Sequence, residues 1–181
     1  MKHNQNDGHN TIQQIQIQPN IGLDSDARES VVEILNMVLA DGAVLGVKTR
    51  SAHWNVHGTD FFEIHTLFGI QYQLLDNISD EIAERVRMLG GLAIGSFHEY
   101  INHARLEETP GIIPDILHLL ADHETSIRLL REHARKCTEE HEDMGTSELL
   151  VGVMRSHEKM AWMLRSYIEN KIVNGESQQR T

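Results

Sequence analysis

The sequence is poor in cysteine, proline and aromatic residues, and each shortage excludes a class of protein. Cys137 is the only cysteine among 181 residues, so the chain can form neither an internal disulfide nor a thiolate metal cluster of its own. Three prolines and four phenylalanines, against seven methionines and twelve histidines, fit a helical protein better than a β-sandwich. The composition therefore favours helices.

Basic residues and long apolar segments are also scarce. Sixteen Lys and Arg stand against 27 Asp and Glu, for a formal net charge of −11. This balance disfavours binding of nucleic acid over the whole protein surface, because phosphates are neutralised by clustered Lys and Arg. No apolar run approaches the roughly 20 residues that span a bilayer, and the first twenty residues lack the apolar segment of a signal peptide. We therefore expect a cytoplasmic protein that contacts no membrane.

The length suits one folded domain with short tails. Residues 1–22 are predicted to form a flexible N-terminal tail. Its first twenty residues carry five Gln, four Asn and little charge, and cannot bury enough apolar surface to offset their ordering entropy. Alternatively, the alternating Ile and Gln at 15–18 lie extended as a short strip against a neighbour. Residues 23–174 form the predicted domain, and residues 175–181 a C-terminal tail.

Four long stretches have apolar residues at helical spacing. The predicted helices are residues 24–57, 60–89, 114–142 and 147–173. A connection of about twenty residues separates the second helix from the third, with a short helix near residues 100–104. Two helical hairpins joined by one long crossover describe a ferritin-like four-helix bundle. The predicted fold class is therefore all-α.

Two histidines flank the turn between the first two helices. His53 lies five residues before Gly58 and His65 seven residues after it, so the two lie at about the same height in an antiparallel hairpin. Two imidazoles at one level are suitable ligands for iron or zinc. The paired Glu-x-x-His motifs of a metal centre inside one bundle are absent, and only Asp115-x-x-His118 has comparable spacing. A di-iron centre in the core of one subunit is therefore not expected.

Two carboxylates complete the pattern only if a second subunit takes part. Asp80 and Glu84 lie four residues apart on one face of the second helix, but about 22–28 Å along it from His65. If two copies of this helix cross antiparallel about a two-fold axis near residues 74–75, His65 faces Glu84 of the partner and Asp80 faces Gly69. A symmetric dimer of this kind closes two sites, each with two histidines and two carboxylates.

Several short motifs in this region occur together in one known family. They are His53-Trp54-Asn55-Val56-His57-Gly58, then His65, Asp80-x-x-x-Glu84-Arg85 and Leu89-Gly90-Gly91. In these motifs, and in its last helix, the chain resembles the Dps family of mini-ferritins. The resemblance implies a ferroxidase cage of twelve identical subunits, in which hydrogen peroxide or dioxygen oxidises Fe(II) and Fe(III) mineral is stored.

The same resemblance implies the residues of the site. Metal sites would lie at two-fold interfaces, and the matched ligands are His53, His65, Asp80 and Glu84. Trp54 matches a tryptophan beside the site that takes up oxidising equivalents.

Gly69 departs from the family pattern. Four residues after the second histidine the family has an aspartate that binds metal, whereas glycine has no side chain to donate. Glycine also costs about 1 kcal/mol of helix stability relative to alanine. Three substitutes are open: His57, four residues from His53 and so on the same helical face, Gln73 one turn beyond Gly69, or water. His57 is therefore a further candidate ligand, and a cage that binds Zn(II) at an altered site is an alternative.

Other acidic and histidine residues allow two interpretations each. His118 with Asp115 and Asp122 forms either a secondary cation site or a solvated polar face. The acidic residues at 139–143 either line a pore of the cage or end a helix. Most of the twelve histidines are expected at the surface, and His133, His141 and His157 have no convincing partners in the sequence.

DNA compaction is the main alternative role, because some members of the family perform it with basic tails. Here the chain ends offer only Lys2, Lys171 and Arg180, and binding by counterion release needs several phosphate contacts. DNA binding is therefore not expected. A plain helical scaffold would leave the histidine and carboxylate pattern unexplained.

Overall fold

The computed structural model describes the backbone of residues 17–178 and the side chains of residues 17–169, and this part of the chain is all-helical. Its helices are α1 Ser25–Asn55, α2 Phe61–Met88, α3 Phe97–His103, α4 Ile116–Glu139 and α5 Met144–Gln178. The predicted all-α bundle, with a short helix in its crossover, is confirmed. Residues 1–16 and 179–181 of the two predicted tails lie outside the described residues, and the domain boundaries stay predictions.

The four long helices pair as two hairpins, α1 with α2 and α4 with α5. Contacts of α1 with α4 and of α2 with α5 close the bundle. Its interior is filled by fully buried aliphatic side chains from all four helices, including Leu35, Leu45, Leu75, Ile82, Leu119, Leu150 and Leu164. Burial of such side chains, at about 25 cal/mol per Å² of apolar surface, is the main force that holds the hairpins together.

The end of α1 differs from the prediction in a way that affects the candidate site. The helix ends at Asn55 rather than at His57. Val56 has extended backbone angles, φ −62° and ψ 141°, and Gly58 has φ 106°, a left-handed conformation that favours glycine. His57 therefore lies outside the helix, and the inferred same-face relation to His53 is wrong.

The turn between α4 and α5 also lies earlier than predicted. Residues 144–146 were expected to separate the helices, but α5 already begins at Met144. Asp143 accepts a hydrogen bond from the backbone N–H of Thr146 at 2.9 Å, which satisfies a free donor of the first turn as a helix cap does. Because this cap lies before Gly145, the glycine is inside the helix. At its other end, α5 continues to Gln178, into the predicted C-terminal tail.

Helix α1 corrects the expectation about apolar segments. It contains an 18-residue window with a mean hydropathy of 1.7, long and apolar enough by length and composition to cross a membrane. However, 67% of that window is buried inside the bundle, where α1 packs against α2, α3 and α4. The exclusion drawn from the sequence was wrong for this segment, and packing on several sides accounts for its apolar character.

Polar contacts hold the crossover against α1. Asp41 accepts hydrogen bonds from the backbone N–H of Arg105 at 2.6 Å and from its guanidinium Nη2 at 2.5 Å. Asn36 donates to the backbone oxygen of Leu92 at 3.1 Å and accepts from the backbone N–H of Ile94 at 3.2 Å. The beginning and the middle of the crossover are thus fixed to the helix that carries the first candidate histidine.

Candidate metal centre

The two candidate histidines lie side by side at the turn end of the α1–α2 hairpin. The ring centroids of His53 and His65 are 3.7 Å apart and their planes meet at 23°. His53 Nδ1–H donates to the backbone oxygen of His65 at 2.7 Å, and His65 Nδ1–H donates to the backbone oxygen of His53 at 3.0 Å. Each ring is therefore held by the backbone of the opposite helix.

This exchange of hydrogen bonds fixes the tautomer of both rings. A carbonyl oxygen only accepts, so each Nδ1 carries the hydrogen, and in a neutral imidazole the Nε2 atom then keeps its lone pair. Histidines that bind metals usually donate their second N–H to a carbonyl or carboxylate, which sets the tautomer and the ring orientation. Both rings are thus oriented so that Nε2 could bind a metal.

Aromatic side chains border the histidine pair. Phe61 stacks on His65 with ring centroids 4.9 Å apart, and Tyr72 presents its edge to His53 at 5.3 Å. Trp54, the next residue after His53, is 69% exposed, and Phe62 is 74% exposed. Large apolar groups exposed together are typical of a surface that another molecule covers.

The two candidate carboxylates lie on the surface of α2, away from the histidines. Asp80 and Glu84 are exposed, and neither forms a hydrogen bond or ion pair within the part of the chain that the structure describes. Among those residues, no group of three or more His, Cys, Asp or Glu is arranged to hold a metal. One subunit therefore presents two separate half-sites, imidazoles near the turn and carboxylates farther along α2.

Gly69 lies under the ring of His53. A Cβ atom at this position would come within 3.3 Å of His53 Cε1 and 3.5 Å of its Nδ1, so the ring occupies the space that a side chain needs. Gln73 is exposed on α2. His57 is exposed and lines an apolar pocket of about 510 Å³ at the end of the bundle. The argument from helix geometry for His57 as a ligand therefore fails.

Comparison with known proteins decides the family. The chain matches the ferritin-like domain over residues 32–172. It is 32% identical over 146 residues to DNA protection during starvation protein 2 of Bacillus anthracis, covering 77% of this chain and 97% of that protein. The structure of DpsC from Streptomyces coelicolor superposes with a TM-score of 0.81 at 29% identity, covering 88% of this chain and 96% of that chain. This chain belongs to the Dps family.

Two further proteins are similar to this chain, and one of them is a Dps protein of known structure. A low temperature-induced protein of Nostoc sp. is 43% identical over 158 residues, covering 85% of this chain and 88% of that protein. The Dps structure from Vibrio cholerae, described as a member of a broad superfamily of ferritin-like diiron-carboxylate proteins, has a TM-score of 0.78 at 30% identity. It covers 86% of this chain and 99% of its own. The resemblance noted in the sequence is confirmed.

Sequence patterns missed a pair of buried histidines inside this Dps bundle. His123 of α4 and His157 of α5 are 0% and 4% exposed, and their Nδ1 atoms are 3.0 Å apart. Burial lowers the pKa of His157 to about 4. Burial, and then the neighbouring His157, lower the pKa of His123 well below its usual value. The available signal was spacing, because His123 follows Leu119 by four residues and His157 precedes Met160 by three.

His133 is also buried and has a partner. Its Nε2 accepts a hydrogen bond from the guanidinium of Arg105, and burial followed by the charge of Arg105 lowers its pKa to about 4. The expectation that His133 and His157 have no partners is therefore wrong, and both are buried. The crossover brings Arg105 to His133 from a distant part of the sequence, which helical periodicity does not reveal.

The histidine and carboxylates proposed as a secondary cation site do not converge. Asp115 caps α4 and its Oδ1 lies 2.6 Å from Nδ1 of His118. Asp122 instead pairs with Lys48 of α1 at 2.6 Å. Local capping and an ion pair account for these polar groups.

The acidic turn before α5 is only partly available to a pore. Asp143 is 3% exposed and is bound to Arg85 of α2 at 2.9 Å, so its carboxylate has a structural role. Glu139, Glu140 and Glu142 are exposed. A contribution of these three residues to a pore stays a prediction.

Proposed function

We propose that this chain is the subunit of a cytoplasmic mini-ferritin cage of twelve subunits that oxidises Fe(II) at sites shared between two subunits. Each site would combine four ligands, with His53 and His65 from one subunit and Asp80 and Glu84 from the other. The observation that carries the proposal is the reciprocal hydrogen bonding of the two histidines, which orients both rings and leaves both Nε2 atoms free.

The ligand types support iron as the substrate. Imidazole suits iron, and carboxylate oxygens are hard donors. Asp80 and Glu84 are exposed and free of partners among the described residues, so they are available to a neighbouring subunit. Reduction of one hydrogen peroxide takes two electrons, so two Fe(II) ions become Fe(III), and the peroxide with two protons becomes two water molecules. Dioxygen is the alternative oxidant, and the Fe(III) product would be mineralised inside the cage.

Trp54 is proposed to protect the site from side reactions. Its indole is exposed, and Trp54 follows the proposed ligand His53 directly in the sequence. An oxidising equivalent that escapes the metal can be taken up there before it reaches other parts of the chain.

The first test compares iron oxidation by wild type and His65→Ala. Protein is loaded with Fe(II) without oxygen, and Fe(III) absorbance is followed by stopped flow after peroxide or air is added. We expect fast oxidation in wild type and a loss of at least tenfold in His65→Ala. His98→Ala, which removes an exposed histidine of α3, is the matched control and should behave like wild type. Equal slow rates in all three proteins would contradict the proposal and favour the zinc-binding alternative.

A second test asks whether the site is shared. His65→Ala and Glu84→Ala subunits are each expected to be inactive alone. When they are co-expressed, a mixed interface combines the intact histidines of one subunit with the intact carboxylates of the other. Random mixing then restores about one quarter of the sites, because about half of the interfaces are mixed and each has one intact site. No recovery in verified mixed assemblies would mean that the ligands come from one subunit.

DNA protection is a second role to consider, because the Bacillus anthracis relative carries that name. The formal net charge of −11 opposes binding to phosphates. We therefore expect no shift of duplex DNA in a gel at low salt, and a compact shifted complex would establish the role.

A further inference from the structure

The ring of His53 lies in a slot that depends on Gly69. His65 covers one face of the ring at 3.7 Å, and Tyr72 closes an edge at 5.3 Å. The bare backbone of Gly69 forms the third wall, where an added Cβ would lie 3.3 Å from Cε1. A side chain at this position would therefore require the His53 ring to shift by a few tenths of an ångström.

The same face of α2 offers no free negative charge near the histidines. The first acidic residue that follows His65 is Asp76, and both its carboxylate oxygens accept hydrogen bonds from Arg50 Nη2, at 3.0 and 2.7 Å. The guanidinium of Arg50 also lies 5.0 Å from the ring centroid of Tyr72, which borders His53. Arg50 and Asp76 thus compensate each other, and this subunit contributes two imidazoles but no unpaired carboxylate from this stretch of α2.

We propose that Gly69 restricts each shared site to a single divalent ion. The inference rests on the proposed function, because the two carboxylates of a second subunit supply the only negative charges in the donor set. Two carboxylates neutralise one divalent ion. A second ion would stand uncompensated beside the first, and repulsion over a few Å is strong where water is partly excluded. Two imidazoles and two carboxylates also complete a four-coordinate shell.

Cobalt binding to the assembled wild-type protein tests this directly. Co(II) is titrated calorimetrically, and its visible absorption reports the ligands and the coordination geometry. We expect one Co(II) per subunit whose binding is lost in His65→Ala. Two Co(II) per subunit, both lost in His65→Ala, would overturn the single-ion inference and leave the shared site intact. Binding unchanged in His65→Ala would instead overturn the proposed site itself.

Two substitutions of Gly69 distinguish the steric effect of an added side chain from the effect of its charge. Gly69→Ala adds only a Cβ, which requires the His53 ring to shift by a few tenths of an ångström, and should keep the stoichiometry at one Co(II) per subunit. Gly69→Asp adds the same Cβ plus a carboxylate, and should raise the stoichiometry to two. Gly152→Ala is the matched control, because a Cβ at Gly152 in α5 meets no atom within 4 Å, and its Co(II) binding should equal that of wild type.

The two variants can also contradict the proposal. A single Co(II) in both Gly69→Ala and Gly69→Asp would show that charge at this position does not set the limit. If either variant fails to assemble, the wild-type stoichiometry still decides between one ion and two.

Discussion

At the scale of single residues, this chain places histidine in three different environments. His53 and His65 donate through Nδ1 to backbone oxygens and keep Nε2 free. His123 and His157 bond to each other within the core, and His118 helps to cap α4. The same side chain is thus oriented by backbone oxygens, kept neutral by burial or used for capping, according to what its nitrogen atoms contact.

The contact between Asp41 and Arg105 gives a prediction at this scale. Asp41 is 4% exposed and accepts hydrogen bonds from the guanidinium and the backbone of Arg105. Asp41→Ala leaves these donors unpaired, so we expect the free energy of unfolding to fall by about 3 kcal/mol. Asp76→Ala breaks the more exposed pair with Arg50 and should cost only about 0.5 kcal/mol. Urea unfolding at one fixed subunit concentration measures both, and equal losses would contradict the prediction.

At the scale of elements, the sequence predicts the helices well and their ends less well. Apolar spacing identified the four long helices, because the buried stripe of each one repeats with the helical period. The ends at Asn55 and Met144 depend on the extended Val56 and on the cap by Asp143, which are single-residue backbone choices. His53 and His65 were placed together because a hairpin fixes their heights.

Contacts between distant segments were not predictable in the same way. Periodicity assigns a residue to a face of its helix, but it does not say which residue lies opposite. His157 and His123 lie on the buried faces of two helices, and His133 meets an arginine from the crossover. The His133 pair depends on the path of the crossover, which periodicity does not show. His123 and His157 belong to one hairpin, and the reasoning from height that placed His53 beside His65 could have found them.

Acid sensitivity is the prediction for the packing of α4 against α5. In the folded chain the pKa of His157 is lowered to about 4 and that of His123 is also lowered, whereas an unfolded histidine titrates near about 6.5. Below that pH the unfolded chain binds protons that the folded chain does not. The stability is therefore fully present above pH about 6.5 and is lost as the pH falls toward about 4, by about 1.4 kcal/mol per pH unit for each histidine.

Urea unfolding at several pH values between about 4 and about 6.5 measures how the free energy of unfolding changes with pH. The double variant with His123→Leu and His157→Leu removes both titrating groups. Its free energy of unfolding should therefore fall less steeply with decreasing pH, by the amount that about two protons contribute. His98→Leu, on the exposed face of α3, should leave the slope of wild type unchanged. The neighbouring pairs Lys48–Asp122 and Arg105–Asp41 are present in every variant. A double variant as acid-sensitive as wild type would show that this histidine pair does not cause the effect.

At the scale of the whole molecule, one subunit leaves its candidate site incomplete. The histidines and carboxylates stand at different places along α2, and no described group of three closes around a metal. Between the two half-sites, the outer face of α2 exposes Ile70, which is 55% exposed, and at the ends of this helix lie Phe62 and Met88, 74% and 57% exposed. The proposed contact of α2 with another subunit would cover these apolar groups and complete the site.

Ile70 therefore gives the prediction for assembly. Under the proposed two-fold axis near residues 74–75, Ile70 lies close to the axis and faces its partner helix. Ile70→Lys introduces two buried charges across each interface, and we expect smaller species by size-exclusion chromatography with light scattering. Ala121→Lys adds the same group to an exposed position of α4 and should keep the size of wild type. Loss of iron oxidation together with loss of assembly in Ile70→Lys, although both histidines are intact, would tie the chemistry to the interface. An Ile70→Lys protein that stays fully assembled would show that the two-fold contact lies elsewhere on the chain.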